Sequence, residues 1–300
     1  GLMRVLVTGG AGFVGGALVA RLAADGFDVH ASSRSPRTGL GTWHVADLAD
    51  PAAARALLAA VEPTHLVHAA WFQASGAARA GGADNLEWTE ISLRLLREFV
   101  AAGGQRFVGL GSCFEYDWSD PVLRESTPLG PRNLYGHCKA AIGQTSLAFG
   151  EAAGVSVGWA RGFFMYGPGE GPKRLVADVA ISLLAGDRVA TSDGLQERDF
   201  LHVDDVAAGL AALVASDHHG AINLASGEAV PVRRLVEIIA SHTGGLDRVD
   251  FGAIERPADD PPRLVADVNL MESVLDWSPT IPLDEGLGRT VEYWRERQDP

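Results

Sequence analysis

The stretch "RVLVTGGAGFVGG", residues 4–16, restricts what this 300-residue chain can fold into more than any other segment. The run "RVLVTG" (4–9) is rich in β-branched residues and breaks at glycine, and "FVGGALVARLAADG" (13–26) continues with apolar residues at helical spacing. Between them Gly9, Gly12 and Gly15 fall at G-x-x-G-x-x-G spacing. Glycines permit the tight turn from strand to helix and let backbone N–H groups approach a pyrophosphate at the helix N-terminus. The context, a strand before and a helix after, is what makes the pattern informative. It predicts a βα unit and a bound dinucleotide.

The same alternation continues down the chain. "DVHASS" (28–33) reads as a second strand, "DPAAARALLAAV" (50–61) as a helix, and "HLVHAA" (65–70) as a buried strand. A helix covers about 84–102, "RFVGLGS" (106–112) makes a strand, a helix opens around Tyr135 and runs to about 153, and "VSVGWARGF" (155–163) is a further strand. Strands alternating with helices predict an α/β fold, a Rossmann-type doubly wound parallel sheet with helices on both faces. Beyond Gly167 the rhythm loosens, with turn-rich breaks at "GPGEGP" (167–172) and "ERPADDPPR" (255–263). The expected division is a nucleotide-binding domain over 1–163, joined by a returning segment at about 200–226. A smaller C-terminal lobe takes up 164–199 and 227–300.

Composition removes several classes of function. A hydrophobic content of 47% with 21% charged residues argues against disorder. The formal charge of −13 disfavours nucleic acid and anionic membranes as partners. No apolar run approaches the roughly 18 residues of a membrane span, and no signal-peptide pattern precedes the first strand. Cys113 and Cys138 are too few for a disulfide scaffold. A cytoplasmic setting is expected. The histidines show no metal spacing, so no metal is expected.

The end of the second strand discriminates between cofactors. NAD sites place an acidic residue there for the ribose 2′-hydroxyl, whereas NADP sites use a nearby arginine. Here Ser32, Ser33 and Arg34 stand at that position, with Arg37 close by and no carboxylate. NADP is favoured over NAD. Asp47 in "VADLAD" sits where an adenine contact could form, or where a helix cap could, a role Asp50 before Pro51 serves equally well.

"NLYGHCKAA" (133–141) places Tyr135 four residues before Lys139. On a helix that spacing puts both side chains on one face. An ammonium held near a phenol favours the phenolate, which is what proton transfer near neutral pH requires. The pair alone is also what an ordinary helix face looks like.

With these segments together the chain resembles the extended short-chain dehydrogenase/reductase family, the nucleotide-sugar epimerases, dehydratases and reductases. The ordered marks are "TGGAGFVGG", "DL" (47–48), "HAA" (68–70), "GSCFEY" (111–116), "YGHCK" (135–139), "RGFFMYGP" (161–168), "RDFLHVDDVA" (198–207), "NLASGE" (223–228) and "ADVNLMESVLDWSP" (266–279). The resemblance implies a catalytic triad of Ser112, Tyr135 and Lys139, with the lysine also holding the nicotinamide ribose. It implies cofactor contacts from Gly9, Gly12, Phe13, Val14, Gly15, Ser33, Arg34, Asp47, Leu48, Ala69, Ala70 and Phe163. It further implies that the smaller lobe binds a nucleotide-diphosphate sugar, with Arg198 on the diphosphate and Arg256 or Arg263 in a second such role. Lys173 and Arg174 are weaker candidates for it. A homodimer through the helices near 84–102 and 136–153 is expected on the same ground, Ala140, Ala141, Gly143 and Ala148 being small enough for close approach.

The departures from the family pattern narrow the chemistry. Cys113 and Phe114 occupy the two positions where the dehydratase branch carries Asp and Glu, so removal of water across C5 and C6 is not expected. Phe164 replaces an asparagine that contacts substrate phosphate, and Trp88 replaces another, with Asn85 one turn earlier. Trp71 and its aromatic neighbours in "WFQ" and "EYDW" are expected near the sugar. The leading expectation is NADPH-dependent reduction of a nucleotide-linked 4-keto-6-deoxyhexose at C4, and the alternative is a 4-epimerase that retains NAD. A protein that only binds the cofactor would have no need of all three triad residues.

Overall fold

A computed structural model of the chain describes residues 3–298. Seven parallel strands form the main sheet in the spatial order Gly220–Leu224, Ser156–Gly162, Arg106–Ser112, His65–His68, Arg4–Thr8, Asp28–Ser33 and Thr42–Val45. The first strand lies inside the sheet and the order reverses beside it, which is the doubly wound Rossmann arrangement. Its "VLV" core is buried on both faces, as a parallel sheet covered by helices requires. Val5 and Val7 face one layer, with Leu18 and Leu22 of α1 (Phe13–Ala24), while Leu6 faces the other. On that second face Leu57, Leu58 and Val61 of α2 (Pro51–Val61) close the core.

Local chemistry sets the helix ends. Asp50 accepts a hydrogen bond from the Ala52 N–H at 2.9 Å and Pro51 occupies the first helical position, so Asp50 is the cap of α2. A short helix α3 (Gly76–Gly81) follows the fourth strand, and then comes α4 (Asp84–Ala101). Helix α5 (Leu134–Ala153) starts at Asn133, whose side chain accepts from the Gly136 N–H, and ends at Gly154 in the left-handed region with φ 70°.

Beyond Gly167 and at the short strands Val122–Leu123 and Phe164–Tyr166 no elements were assigned from the sequence, and two more went unread within the main α/β alternation. The edge strand Thr42–Val45 is short and half-exposed, and α3 is six residues of Gly, Ala and Arg without an apolar stripe. Neither carries the periodicity on which a sequence reading depends.

After the sixth strand the chain builds a second core. Helices α6 (Leu175–Leu184), α7 (Val203–Ala215), α8 (Val232–Thr243), α9 (Asn269–Leu275) and α10 (Leu283–Gln298) follow in order. α7 returns to pack on α1 against the main sheet, and α6, α8 and α10 enclose their own cluster around Val179, Leu235 and Leu287. A four-stranded sheet runs Val230–Pro231, Glu197–Arg198, Arg263–Ala266, Val122–Leu123. Among the described residues no helix is long and apolar enough to cross a membrane, and no group of three or more potential metal ligands occurs.

Candidate active site

The glycine turn after the first strand lies directly against the end of the fourth. Gly9 has φ +66°, and a Cβ there would stand 2.7 Å from the Ala70 Cα. A Cβ on Gly15 would meet the Gly9 carbonyl oxygen at 2.0 Å. Both positions therefore require glycine. Gly12 is the N-cap of α1, no side chain caps that end, and its first turn carries no acidic residue. The N–H groups of Phe13, Val14 and Gly15 remain free for an anion, and the cradle fits a dinucleotide pyrophosphate.

The Ala69–Ala70 backbone is fixed from beneath. His68 bridges Thr8 Oγ1 and Ser92 Oγ, each at 2.8 Å, and burial pulls its imidazole down to about 3, so the ring stays neutral. Ser33 ends the second strand, its hydroxyl donating to the Ser35 carbonyl, and Arg34 and Arg37 beyond it are exposed. Neither arginine has an acidic partner within 4.0 Å among the described residues. Asp47 Oδ1 accepts from the Ala49 N–H at 3.0 Å, forming a local turn beside the buried Leu48.

Ser112, Tyr135 and Lys139 are all buried, at 6–7% exposure. Ser112 ends the fifth strand and caps a 3₁₀ turn, Cys113–Glu115. Its Oγ accepts from the Phe114 N–H at 3.1 Å, while the Glu115 carboxylate accepts from the Ser112 N–H at 2.7 Å. The start of α5 is pressed against that turn: a Cβ on Gly136 would lie 2.4 Å from the Phe114 carbonyl oxygen. The packing brings Tyr135 to the end of the Ser112 strand. Helix α5 carries Lys139 one turn further, where its Nζ donates to the Leu110 carbonyl at 2.9 Å and rests 3.9 Å above the Trp71 ring. Burial, with Arg79 nearby, lowers the lysine to about 7.

Aromatic side chains wall this site. Trp71 and Phe114 both meet the Tyr135 ring edge-on, with centroids 6.3 Å and 6.1 Å away, and Phe164 lies against Phe114. Trp88 backs Trp71. Cys113 is buried beside Ser112, and burial pushes its thiol up, so it is a neutral filler. Phe163 is also buried.

The arginines expected around the diphosphate are held within the protein. Arg198 donates to the Glu197 and Pro261 carbonyls and to Asp260, at 2.7, 2.8 and 2.9 Å, with Phe164 beneath it. Arg256 pairs with Asp193 at 3.0 Å and Arg263 with Glu197 at 3.2 Å. Near these segments a cavity of about 430 Å³ opens, lined among others by Leu175, Val179, Arg188, Thr191, Gln196 and Ile254. Asn85 is buried, and its amide donates to the Arg79 and Gly82 carbonyls, so it anchors α3.

Three buried or site-facing residues were missed. Glu115 was legible, because Ser112-x-x-Glu115 has the spacing of a capping box. Glu170, in the "GPGEG" turn, is buried with Oε2 unpartnered among the described residues, and burial pushes it up to about 8. Arg79 on α3 donates to the Tyr135 hydroxyl at 3.0 Å. Nothing in its Ala- and Gly-rich surroundings signals that contact.

The family model for the NAD dependent epimerase/dehydratase family matches residues 5–225. Among individual proteins, the UDP-glucose 4-epimerase of Erwinia amylovora is 29% identical, the match covering 99% of each chain. The solved structure of MoeE5 in complex with UDP-glucuronic acid and NAD superposes with a TM-score of 0.85 at 30% identity, covering 98% of this chain and 99% of that one. RMD from Pseudomonas aeruginosa complexed with NADPH gives 0.84 at 25% identity, covering 98% and 99%. The chain belongs to the NAD-dependent epimerase/dehydratase family.

Proposed function

We propose that this family member reduces the C4 ketone of a nucleotide-linked 4-keto-6-deoxyhexose with NADPH. The observation that carries the reading is the aromatic wall at Tyr135: Trp71 and Phe114 meet its ring, Phe164 packs behind Phe114, and Phe114 with Cys113 stands where dehydration would need an acid pair. An apolar wall suits the methyl group of a 6-deoxy sugar. The strand-end Ser33 and Arg34, without a carboxylate, support the 2′-phosphate of NADP.

The dinucleotide, when bound on the Gly9–Gly15 turn, supplies the hydride. The chain's own part is proton transfer and orientation. Tyr135 Oη gives its proton to the C4 oxygen as that oxygen becomes an alcohol, so one hydride and one proton are added in total. Ser112 Oγ donates to the same oxygen and orients the ketone. Lys139 supports the phenolate left behind. Trp71 and Phe114 exclude water from the reacting atoms. We place the nucleotide of the substrate in the cavity beside α6, and assign its phosphates to Arg198, Arg256 and Arg263, which would exchange their present partners for phosphate oxygens. This assigns the main sheet to the cofactor and the smaller lobe to the sugar nucleotide.

The second reading is a 4-epimerase, favoured by the NAD bound in the MoeE5 structure. Such an enzyme would keep NAD through purification and interconvert C4 epimers with no net change in the cofactor. The test is to purify the protein, identify any nucleotide it retains, and incubate it with a panel of nucleotide 4-keto sugars while following NADPH absorbance. NADPH consumption with an exchangeable cofactor supports the reductase; retained NAD with epimer interconversion replaces it with the second reading.

We also place the protein in the cytoplasm as a homodimer through α4 and α5. Both cysteines are free and buried, in keeping with a reducing compartment. Ala141 and Ala148 are exposed on α5 and available to a partner helix, whereas Gly143 packs on the protein's own Trp159. Sedimentation showing only monomer at micromolar concentration would exclude the dimer.

A further inference from the structure

We infer that Arg79 is a catalytic residue, holding the Tyr135 oxygen through the proton transfer as a fixed positive charge. The inference rests on the proposal that Tyr135 is the proton donor. It goes beyond the Ser-Tyr-Lys set by assigning part of the lysine's electrostatic work to a side chain on another element.

The geometry is specific. Arg79 Nη2 donates to Tyr135 Oη at 3.0 Å, and the guanidinium carbon lies 4.6 Å from the centre of the same ring. An arginine can only donate, so the phenol oxygen is the acceptor in this contact. The guanidinium is placed to stabilise the negative charge that develops on that oxygen as its proton goes to C4. Lys139, by contrast, directs its Nζ to the Leu110 carbonyl and the Trp71 face. Lowered to about 7, it is only part-charged at neutral pH.

The backbone that carries Arg79 is pinned on both sides. Arg174 Nη2 donates to the Ala74 carbonyl at 3.2 Å ahead of α3, and the Asn85 amide donates to the Arg79 and Gly82 carbonyls at 2.9 and 3.0 Å behind it. Among the described residues Arg79 has no carboxylate within 4.0 Å, so no acid in the protein competes with the phenolate for its charge. Arg174 adds positive charge nearby, and Glu170, held toward its neutral form, removes little of it.

A catalytic cation and a mere cover over Tyr135 make opposite predictions for the reactivity of the phenol. The probe is a small aryl sulfonyl fluoride, which labels phenolates, with modification of Tyr135 followed by mass spectrometry in wild type, Arg79→Gln and Arg79→Lys. Tyr135→Phe serves as the control for the labelled site. Loss of the cation slows labelling by about tenfold in Arg79→Gln and less in Arg79→Lys. Loss of a cover speeds it in both. Unchanged or faster labelling in Arg79→Gln overturns the inference, whatever sugar the enzyme uses. On any nucleotide sugar the wild type turns over, kcat for Arg79→Gln falls roughly 10–100-fold with KM little changed, and Arg79→Lys recovers part of it. A change confined to KM also overturns the inference. Failure of the wild type to reduce any 4-keto sugar bears on the proposed reaction alone, because the labelling result stands without a substrate.

Discussion

Arg161 and Glu115 form an ion pair beneath the candidate active site, Nε to Oε1 at 3.1 Å, with the arginine side chain 7% exposed and the carboxylate fully buried. The same carboxylate accepts from the Trp159 indole at 3.0 Å and from the Ser112 N–H at 2.7 Å. The end of the strand that presents Ser112 is thereby tied to the neighbouring strand. Burial pushes Glu115 up and Arg161 pulls it back down. Breaking a buried pair from one side leaves an uncompensated charge, a loss of about 3–5 kcal/mol. Glu115→Gln is expected to lose stability on that scale in urea unfolding, and the double change Glu115→Met with Arg161→Met to recover much of it. A single variant as stable as wild type would mean that water or relaxation already satisfies Arg161.

Glu170 makes the stability depend on pH in a defined window. Its carboxyl rises from an ordinary 4.5 to about 8 because it is buried, while Arg174 opposes the rise. Between those values the unfolded chain releases the proton and the folded chain keeps it. Its contribution therefore favours folding at low pH and is lost as pH climbs from about 4.5 to about 8. At about 1.4 kcal/mol per unit, the effect is at most a few kcal/mol. Glu170→Gln removes it, so the variant gains on wild type as pH rises from about 5 to about 9. Denaturation midpoints at the two pH values check this, and parallel pH profiles would show that Glu170 titrates normally.

The parts of the fold that could be read in advance are those where one physical requirement dominates. Val5, Leu6 and Val7 form a continuous apolar run because a central parallel strand is covered on both faces. Gly9 and Gly15 show because no side chain fits at their contacts. Helical spacing aligns Tyr135 with Lys139, but an ordinary helix face has the same spacing, and only the ordered family motifs around the pair single it out. Arg79 and Glu170 do not show, because their meaning depends on which surfaces meet in three dimensions. Arg79 sits 56 residues from Tyr135 on a helix too short to have a face of its own. The late arginines illustrate the opposite case. Their charge suggested a diphosphate, and the structure gives Arg198, Arg256 and Arg263 acidic partners of their own. Sequence position reveals a cation but not what neutralises it.

Replacing Tyr135 with Phe removes the hydroxyl and keeps the ring that packs on Trp71 and Phe114. The fold and the cofactor affinity are expected to be preserved, since the glycine turn lies on another element. The rate falls by at least about 10²-fold, the scale of general acid–base catalysis. Single-turnover hydride transfer, with cofactor binding measured separately, checks both halves. Unchanged turnover would place the proton donor elsewhere.

Cofactor preference follows from the end of the second strand. Ser33 stands where an acidic residue would bind the ribose hydroxyls of NAD, and its hydroxyl is occupied only by the Ser35 carbonyl. Arg34 and Arg37 are exposed beside it, so a 2′-phosphate would meet positive charge with no carboxylate to compete. In Ser33→Asp a new negative charge faces that phosphate, and Arg34 is drawn toward the aspartate instead. The preference is expected to move toward NADH by about 1–3 kcal/mol, the scale of a hydrogen bond to a charged group. The measurement is kcat/KM for NADPH and NADH in wild type and variant with one keto sugar. A wild type that already prefers NADH would defeat the proposed cofactor choice and put the epimerase reading first. A wild type indifferent to the two would mean that Arg34 and Arg37 serve solvent rather than the phosphate.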